Sequence, residues 1–524
     1  MNENDLVLAV DVGTSSTKAV LVNPHGPLES TSISYNVECP QPGCYEQDPR
    51  VISNAIRNTI KQLLLKVPKA MEQVKGLVFT SQMSGTLAID EKGVPLGSFL
   101  TWADTRAASI TKKMIKGWPM YKGYFSIRKL LKFLKITGGA PNVSGRDTIS
   151  KIYYLKHEHP EIYNNTFKFV DNKDYAIFLA TGKFITSIDM AYITWLMDSR
   201  KGRFQWSPDI FEDYGLDMSK MCEIRPTLEN LGPITPEFAK NTGLRSETPV
   251  INGAGDLLAS AIGSGAVEPG KLHANVGTAG WVGAHFPKIV KNLVRYIGSI
   301  ASGMPGVYLV LCKPESTGAN LEWIKDLFYP KELVGEERYA RIFPEIDALV
   351  KTVDPGSKKL IFTPYLFGER SPIQSSTLRA MFFNLGMYHN RGHILRSIFE
   401  GVAYNLRWGM EIVEELTGLP QDEVRLIGGG SKSNVWCQIF ADVWHKKVVK
   451  MKHPQLASAI GAACIAFVSL GIFKDFTQVA NLVQVEKEFM PDPATGRIYD
   501  KLYAEFPKIY ECNKKIFERL NTDN

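Results

Sequence analysis

Leu6-Val7-Leu8-Ala9-Val10-Asp11-Val12-Gly13-Thr14-Ser15-Ser16-Thr17-Lys18-Ala19-Val20-Leu21-Val22 reads as a buried strand ending in an acidic residue, a tight turn of glycine and hydroxyls, and a second strand returning beside the first. Gly13 lets the backbone come close to an anion, and Thr14, Ser15, Ser16 and Thr17 offer hydroxyl and amide donors of the kind that wrap a polyphosphate. Asp11 has no use as a phosphate ligand. A carboxylate beside a phosphate loop makes sense with a divalent cation between them, directly or through water, because the cation cancels the repulsion. The plainer alternative is a solvated hairpin with a polar turn, and the rest of the chain weighs against it.

The pattern comes twice. Leu272-His273-Ala274-Asn275-Val276-Gly277-Thr278-Ala279-Gly280-Trp281-Val282 aligns Asn275-Val276-Gly277-Thr278 with Asp11-Val12-Gly13-Thr14. Two such hairpins suggest a duplicated fold that holds one nucleotide between two phosphate loops. Asn replaces Asp in the second copy, so one negative charge is kept on the metal side and removed on the other. Just upstream, Thr248 to Gly263 reads as a strand, a Gly-rich turn, Asp256 at the mouth and a small-residue helix, with a simple helix-capping Asp as the structural alternative. Pro226, Pro233 and Pro249 punctuate the preceding stretch and place a boundary near residue 248. The expected domains are 1–248, 249–480 and a helical C-terminal tail, 481–524.

Between the two hairpins, Val74 to Thr80 reads as a buried strand that delivers Ser81-Gln82-Met83-Ser84-Gly85-Thr86, and polar groups at a strand end are where α/β proteins put binding sites. Trp102, Asp104 and Arg106 then form a plausible polyol-binding set: a flat face for C–H groups, an acceptor for hydroxyls and a fork of donors. Helix-capping is the alternative for this Asp as well. Later, Gly318-Ala319-Asn320-Leu321-Glu322-Trp323 starts a helix, and Leu426 to Asn434 is a strand with a Gly-rich turn into a helix, bare backbone against which a flat base or ribose can lie. Helices are expected over residues 52–64, 148–159, 171–181, 391–416 and 457–473.

Apolar content of 44%, charged content of 22% and a net charge of +7 describe an ordinary globular chain with no argument for nucleic acid. No apolar run reaches membrane-spanning length, and the acidic opening Met1 to Asp5 does not resemble a secretory signal. Seven scattered cysteines suggest reduced thiols and a cytoplasmic protein; Cys39 and Cys44 lack neighbours for a metal site, and His157-Glu158-His159 reads as solvated helix surface. From Thr105 through Gly145 there is no Asp or Glu but many basic residues, among them Lys112, Lys113, Lys116, Lys122, Arg128, Lys129, Lys132 and Lys135. Ser126 to Ile136 would form a basic amphipathic helix with Ile127, Leu130, Leu131 and Leu134 on one side. A solvated face, or a basic wall drawing in an anionic nucleotide, is preferred over membrane-surface binding.

With these residues assembled, the chain resembles the FGGY family of carbohydrate kinases, its xylulokinase-like branch above all, from about Leu6 to Phe473. The resemblance is carried by Asp11-Val12-Gly13-Thr14-Ser15-Ser16, Gln82-Met83-Ser84-Gly85, Trp102-Ala103-Asp104-Thr105-Arg106, Gly253-Ala254-Gly255-Asp256, Asn275-Val276-Gly277-Thr278, Pro364 to Arg370 and Gly428-Gly429-Gly430-Ser431. It implies an α/β fold of two actin-like, ribonuclease-H-like domains with a nucleotide cleft between them. On the family pattern Asp256 is the catalytic base, and Asp11 and Asp256 serve the metal. Gly13, Thr14, Ser15, Gly277 and Thr278 contact phosphate, while Gly318, Glu322, Gly429, Gly430 and Asn434 line the adenosine side. The sugar falls to Gln82, Met83, Ser84, Trp102, Asp104, Arg106 and Asp256. Three residues depart from the pattern: Ser84 where His is common, Asn384 where Gly is usual, and Tyr154 in place of a Trp.

The expected reaction is in-line transfer of the γ-phosphoryl group of ATP, with Mg2+, to a hydroxyl of a ketopentose, D-xylulose first. The alternatives are another sugar or sugar acid (gluconate, another ketose, glycerol), or an actin-like ATP-binding scaffold or sensor. The expected partners are the sugar and ATP, without nucleic acid or membrane, and a homodimer is kept as an option.

Overall fold

The computed structural model describes residues 5–121 and 123–522, so Met1–Asn4 of the acidic opening and Lys122 of the basic stretch lie outside the described residues. The chain forms two compact units. One comprises Met1–Gly263, Ala301–Gly306 and Ser458–Leu482; the other comprises Ser264–Ile300, Val307–Ala457 and Val483–Asn524.

The first unit is built on a six-stranded sheet. Its strands are β1 (Leu6–Val12), β2 (Ser16–Asn23), β3 (Gly26–Ser34), β4 (Val74–Ser81), β5 (Asn230–Pro233) and β6 (Pro249–Ile251), in the order β5-β6-β4-β1-β2-β3. β1 pairs antiparallel with β2 and parallel with β4, and β4 pairs parallel with β6. Every residue of β1 is buried, which is why it reads as an unbroken apolar run rather than an alternation. Between β3 and β4 lies α1 (Pro49–Lys66), where Asp48 caps the first turn and Pro49 presets it; Ile52, Ile56, Ile60 and Leu63 meet the sheet at helical spacing. The strand β6 feeds α2 (Asp256–Gly263), whose Ala259 carbonyl lies so close to Gly461 of the helix Ala457–Ser469 that a Cβ there would sit 1.7 Å from the oxygen.

The basic stretch belongs to this unit. Its helix Ile127–Ile136 buries Phe133 and Ile136, with Leu130 and Leu134 half-buried and Leu131 outward, so the apolar stripe is rotated from the expected one. Packing against Tyr214 and Phe125 sets that rotation. Two of its lysines face protein: Lys129 donates to the Met114 carbonyl at 2.7 Å, and Lys132 pairs with Asp213 at 2.6 Å.

The second unit repeats the plan. Its strands are β7 (Leu272–Val276), β8 (Gly280–Phe286), β9 (Lys291–Asn292), β10 (Ile297–Ala301), β11 (Tyr308–Cys312), β12 (Glu423–Ile427), β13 (Lys447–Met451) and β14 (Val485–Phe489), in the order β9-β10-β11-β8-β7-β12-β13-β14. β7 pairs antiparallel with β8 and parallel with β12, and an antiparallel edge strand closes the far side in both units. This shared order, hairpin then crossover to a parallel partner, is the actin-like, ribonuclease-H-like arrangement, present twice. Arg391–Thr417 forms one long helix, capped by Asn390 and ended by Gly418 in the left-handed region, and buries most of its length. Of residues 481–524, β14 joins the sheet while Pro493–Tyr503 and Phe506–Asn521 are helical. The first of these helices is fastened through Tyr499, whose hydroxyl accepts from Arg396 and donates to buried Glu400, and the second buries Phe506 and Ile509 in the core.

Two of the departures have structural settings. Asn384 stands at φ 69°, where asparagine is the usual substitute for glycine. Tyr154 places its hydroxyl 3.0 Å from the His159 ring. Among the described residues no helix is long and apolar enough to cross a membrane.

Candidate active site

In the first unit, the β1–β2 turn and the residues after β4 lock together. Gly13 N donates to Ser16 O at 2.9 Å to close the turn, leaving Ser15 exposed at its tip. Gln82 N donates to Val12 O, continuing the β1–β4 pairing into the turn. The Trp102 indole then donates to Thr14 Oγ1 at 3.0 Å, Thr14 Oγ1 donates to Gln82 Oε1 at 3.0 Å, Gln82 Nε2 donates to Gln47 Oε1 at 2.8 Å, and Gln47 Nε2 returns to the Thr14 carbonyl at 2.7 Å. Thr14 therefore sits with Gln82 and Trp102 in one closed network. Such networks hold each side chain in a single orientation.

Asp104 is fully buried and its oxygens are engaged: Tyr45 N donates to one at 2.8 Å, Arg106 N to the other at 3.0 Å, and Arg106 Nε reaches both. It is not a cap for the following helix, which starts at Ala108 behind Ala107. Arg106 Nη2 also donates to Glu46 Oε2 at 2.5 Å. Ser84, at φ 65°, is held by buried Lys151, whose Nζ donates to its carbonyl at 2.6 Å, and by Asp171, which accepts from Gly85 N at 3.0 Å. Burial drives both ionisable groups toward neutrality: Lys151 is pushed down to about 8 and Asp171 up to about 7. Gly85 admits no Cβ, which would meet the Phe99 ring at 1.9 Å.

Asp256 opens α2, half-buried, with its Oδ1 accepting from Leu257 N at 2.7 Å. Asp11 is the penultimate residue of β1, and its Oδ1 is buried without a hydrogen-bond partner among the described residues. Burial raises the Asp11 carboxyl, opposed by Lys18 across the hairpin.

In the second unit, Gly277 and Thr278 form the β7–β8 turn, half-buried and exposed respectively. The start of the helix Gly318–Phe328 is stitched to that turn: Thr317 Oγ1 and Gly318 N both donate to Gly277 O, and Ala319 N to Thr278 O. A Cβ on Gly318 would lie 2.6 Å from the Gly277 oxygen, so glycine is needed for this approach. The Gly-rich turn after β12 is packed on one side and open on the other. Cβ atoms at Gly428 and Gly430 would meet Asn275 Oδ1 at 2.4 Å and Val276 Cγ1 at 2.5 Å, whereas Gly429 has nothing within 4 Å. Asn434 accepts from Lys450 Nζ at 3.1 Å, and Glu322 pairs with Lys325 at 2.6 Å.

Gln47, Glu46, Lys151, Asp171 and Thr317 join these clusters without having been singled out by sequence. Gln47 and Glu46 stand in a polar run whose only local signal is its position before a capped helix. Lys151, Asp171 and Thr317 are brought in by tertiary contact.

The chain matches the FGGY family of carbohydrate kinases, its N-terminal domain over residues 6–263 and its C-terminal domain over residues 297–470, and it belongs to that family. It is 28% identical over 528 residues to the xylulose kinase of Staphylococcus epidermidis, covering 99% of both chains. It is equally 28% identical, over 506 residues, to the gluconokinase of Bacillus subtilis, covering 95% of this chain and 94% of that one. The fold is that of the gluconate kinase from Lactobacillus acidophilus, with a TM-score of 0.85 at 24% identity over 98% of this chain and 100% of the other. The protein is a sugar kinase that uses ATP with Mg2+.

The residues present suit that pair. The buried, unpartnered Asp11 oxygen beside a turn of donors is an acceptor in want of a cation. The open side of Gly429 is bare backbone of the kind a nucleoside can lie against.

Proposed function

We propose that this kinase phosphorylates a neutral ketopentose, D-xylulose first, and that Asp256 is its catalytic base. The observation that carries the choice of a neutral acceptor is the state of the two cations at the Gln82, Ser84 and Trp102 cluster. Arg106 is closed off by Asp104 and Glu46, and Lys151 is fully buried against the Ser84 carbonyl. A sugar acid brings a carboxylate that needs an uncompensated cation, whereas a ketose needs only donors and acceptors. The xylulose kinase at 28% identity supports the same reading, and the gluconokinase at equal identity is the rival that the charge argument disfavours.

Asp256 orients the acceptor hydroxyl and takes its proton as the oxygen attacks; a loose transition state asks little more of a base. Trp102 and Arg106 fix the sugar, with buried Gln82 holding Thr14 and Gln47 behind them, and the turn at Gly13 to Ser15 offers the exposed Ser15 hydroxyl and the amides of Thr14 and Ser15 to the transferring group. Gly277 and Thr278 serve the other phosphates, with Gly318, Glu322, Gly429, Gly430 and Asn434 on the adenosine side. Asp11, with Asp256, would hold Mg2+, which when bound supplies charge neutralisation at the phosphates.

The test is ADP release with MgATP across ketopentoses, polyols and aldonic acids, with Asp256→Asn in parallel. Stimulation by D-xylulose that is lost in the variant is expected. Stimulation by gluconate instead would overturn the neutral-acceptor reading, and ATP binding with no stimulation by any ketopentose would place the acceptor outside that class.

A further inference from the structure

The turn that delivers Asp256 is fastened peptide by peptide. Asn252 N donates to Glu229 O and Gly253 N to Thr227 O, both at 3.0 Å. The Asn252 side chain donates to the Arg225 and Pro226 carbonyls and accepts from the buried Lys173 ammonium. The last fastening before Asp256 is of another kind. Gly255 N donates at 2.7 Å to Oδ2 of Asp189, a fully buried carboxylate in the short helix Ile188–Tyr192, far from this turn in sequence.

Gly255 is also boxed in from the acceptor side. A Cβ on it would lie 2.5 Å from both Cγ and Sδ of Met83 and 2.8 Å from Sδ of Met190. The peptide that carries Asp256 is thus pinned between a buried carboxylate and a side chain of the Gln82–Gly85 loop.

We propose that Asp189 is a positioning residue for phosphoryl transfer: it holds the Gly255 peptide so that the Asp256 carboxylate meets the acceptor hydroxyl seated on the Met83 loop. The proposal rests on the reading of Asp256 as the base. It predicts a loss in the chemical step rather than in nucleotide binding, because misplacing a reacting group by about 1 Å costs about 100-fold in rate.

The experiment compares Asp189→Ala, Asp189→Asn and Asp256→Asn in the full-length protein, reading kcat, KM for ATP, KM for the stimulating sugar and the thermal midpoint. The expected result for Asp189→Ala is a kcat about 100-fold lower with KM for ATP unchanged. Asp189→Asn, which keeps an oxygen for Gly255 N, should recover most of that loss. A folded Asp189→Ala with wild-type kcat, or an Asn variant as impaired as the Ala one, overturns the proposal. Should the Ala variant fail to fold, Asp189→Ser carries the test, its hydroxyl falling short of the Gly255 nitrogen; full kcat in the folded Ser variant is equally fatal. Turnover in Asp256→Asn would instead remove the base reading itself, and the two failures are told apart by which variant keeps its activity.

Discussion

Arg106 reaches Asp104 through its peptide nitrogen at 3.0 Å and through Nε at 2.9 Å, so the carboxylate that sequence offers as a sugar acceptor is occupied in aiming the arginine. Asp104→Asn should therefore act first on stability, since it leaves the guanidinium half-paired; a loss of about 3 kcal/mol is expected in urea unfolding. Arg106→Lys should instead raise the sugar KM, because a single ammonium cannot span Asp104 and Glu46 together. Glu46→Gln gives the sharper result: freeing positive charge on Arg106 should raise turnover of aldonic acids relative to ketoses, which competition assays would show.

Asp11 predicts opposite signs for folding and function. Its buried oxygen has no partner among the described residues, and burial disfavours its charge. Asp11→Asn should therefore stabilise the metal-free protein by about 1 kcal/mol while moving the Mg2+ midpoint of turnover to higher concentration. Calorimetry without Mg2+ and a Mg2+ titration of activity check the two halves separately.

The glycines after β12 separate folding from binding. Gly429→Ala meets no atom within 4 Å and should leave the thermal midpoint unchanged while weakening ATP binding. Gly428→Ala, at φ 90° with Asn275 in the way, should lower the midpoint itself. Equal thermal midpoints for the two would contradict the packing.

Glu369 gives a pH signature. It accepts from Glu315 N, Arg370 N and Asn405 Nδ2, yet burial pushes its carboxyl up to about 8. The folded state then binds a proton that the unfolded state has released. From the ordinary carboxylate range up to about 8, stability falls with rising pH by up to about 1.4 kcal/mol per unit. Glu369→Gln should remove that slope, with Asn405 turning its free oxygen to the new amide. A slope unchanged in the variant would show Glu369 ionised.

The two hairpins, the strand β4, the long helix 391–417 and the turn before Asp256 were legible because each is a local pattern: an apolar run, a helical period or a glycine where the backbone must turn. Residues that reach the clusters through tertiary contact were not. Asp189 and Lys151 carry no local sign of their partners, since each touches a peptide that only folding brings near. The stripe on Ile127–Ile136 misled for the opposite reason: its leucines satisfy two faces of a helix, and only the packing of Phe133 chooses between them.

The helix Ala457–Ser469 backs the Ala259 carbonyl of α2, and Ser458–Leu482 completes the first unit. The birth order of the protein follows. When the ribosome has made every residue of the acceptor cluster, the element that seats the Asp256 helix has yet to be translated, and a chain arrested before Ser458 should be readily cleaved by protease around Gly255 to Gly263. The turn before Asp256 is thus fastened early, by Asp189 and by the carbonyls of Thr227 and Glu229, whereas the packing behind its helix waits for the last part of the chain.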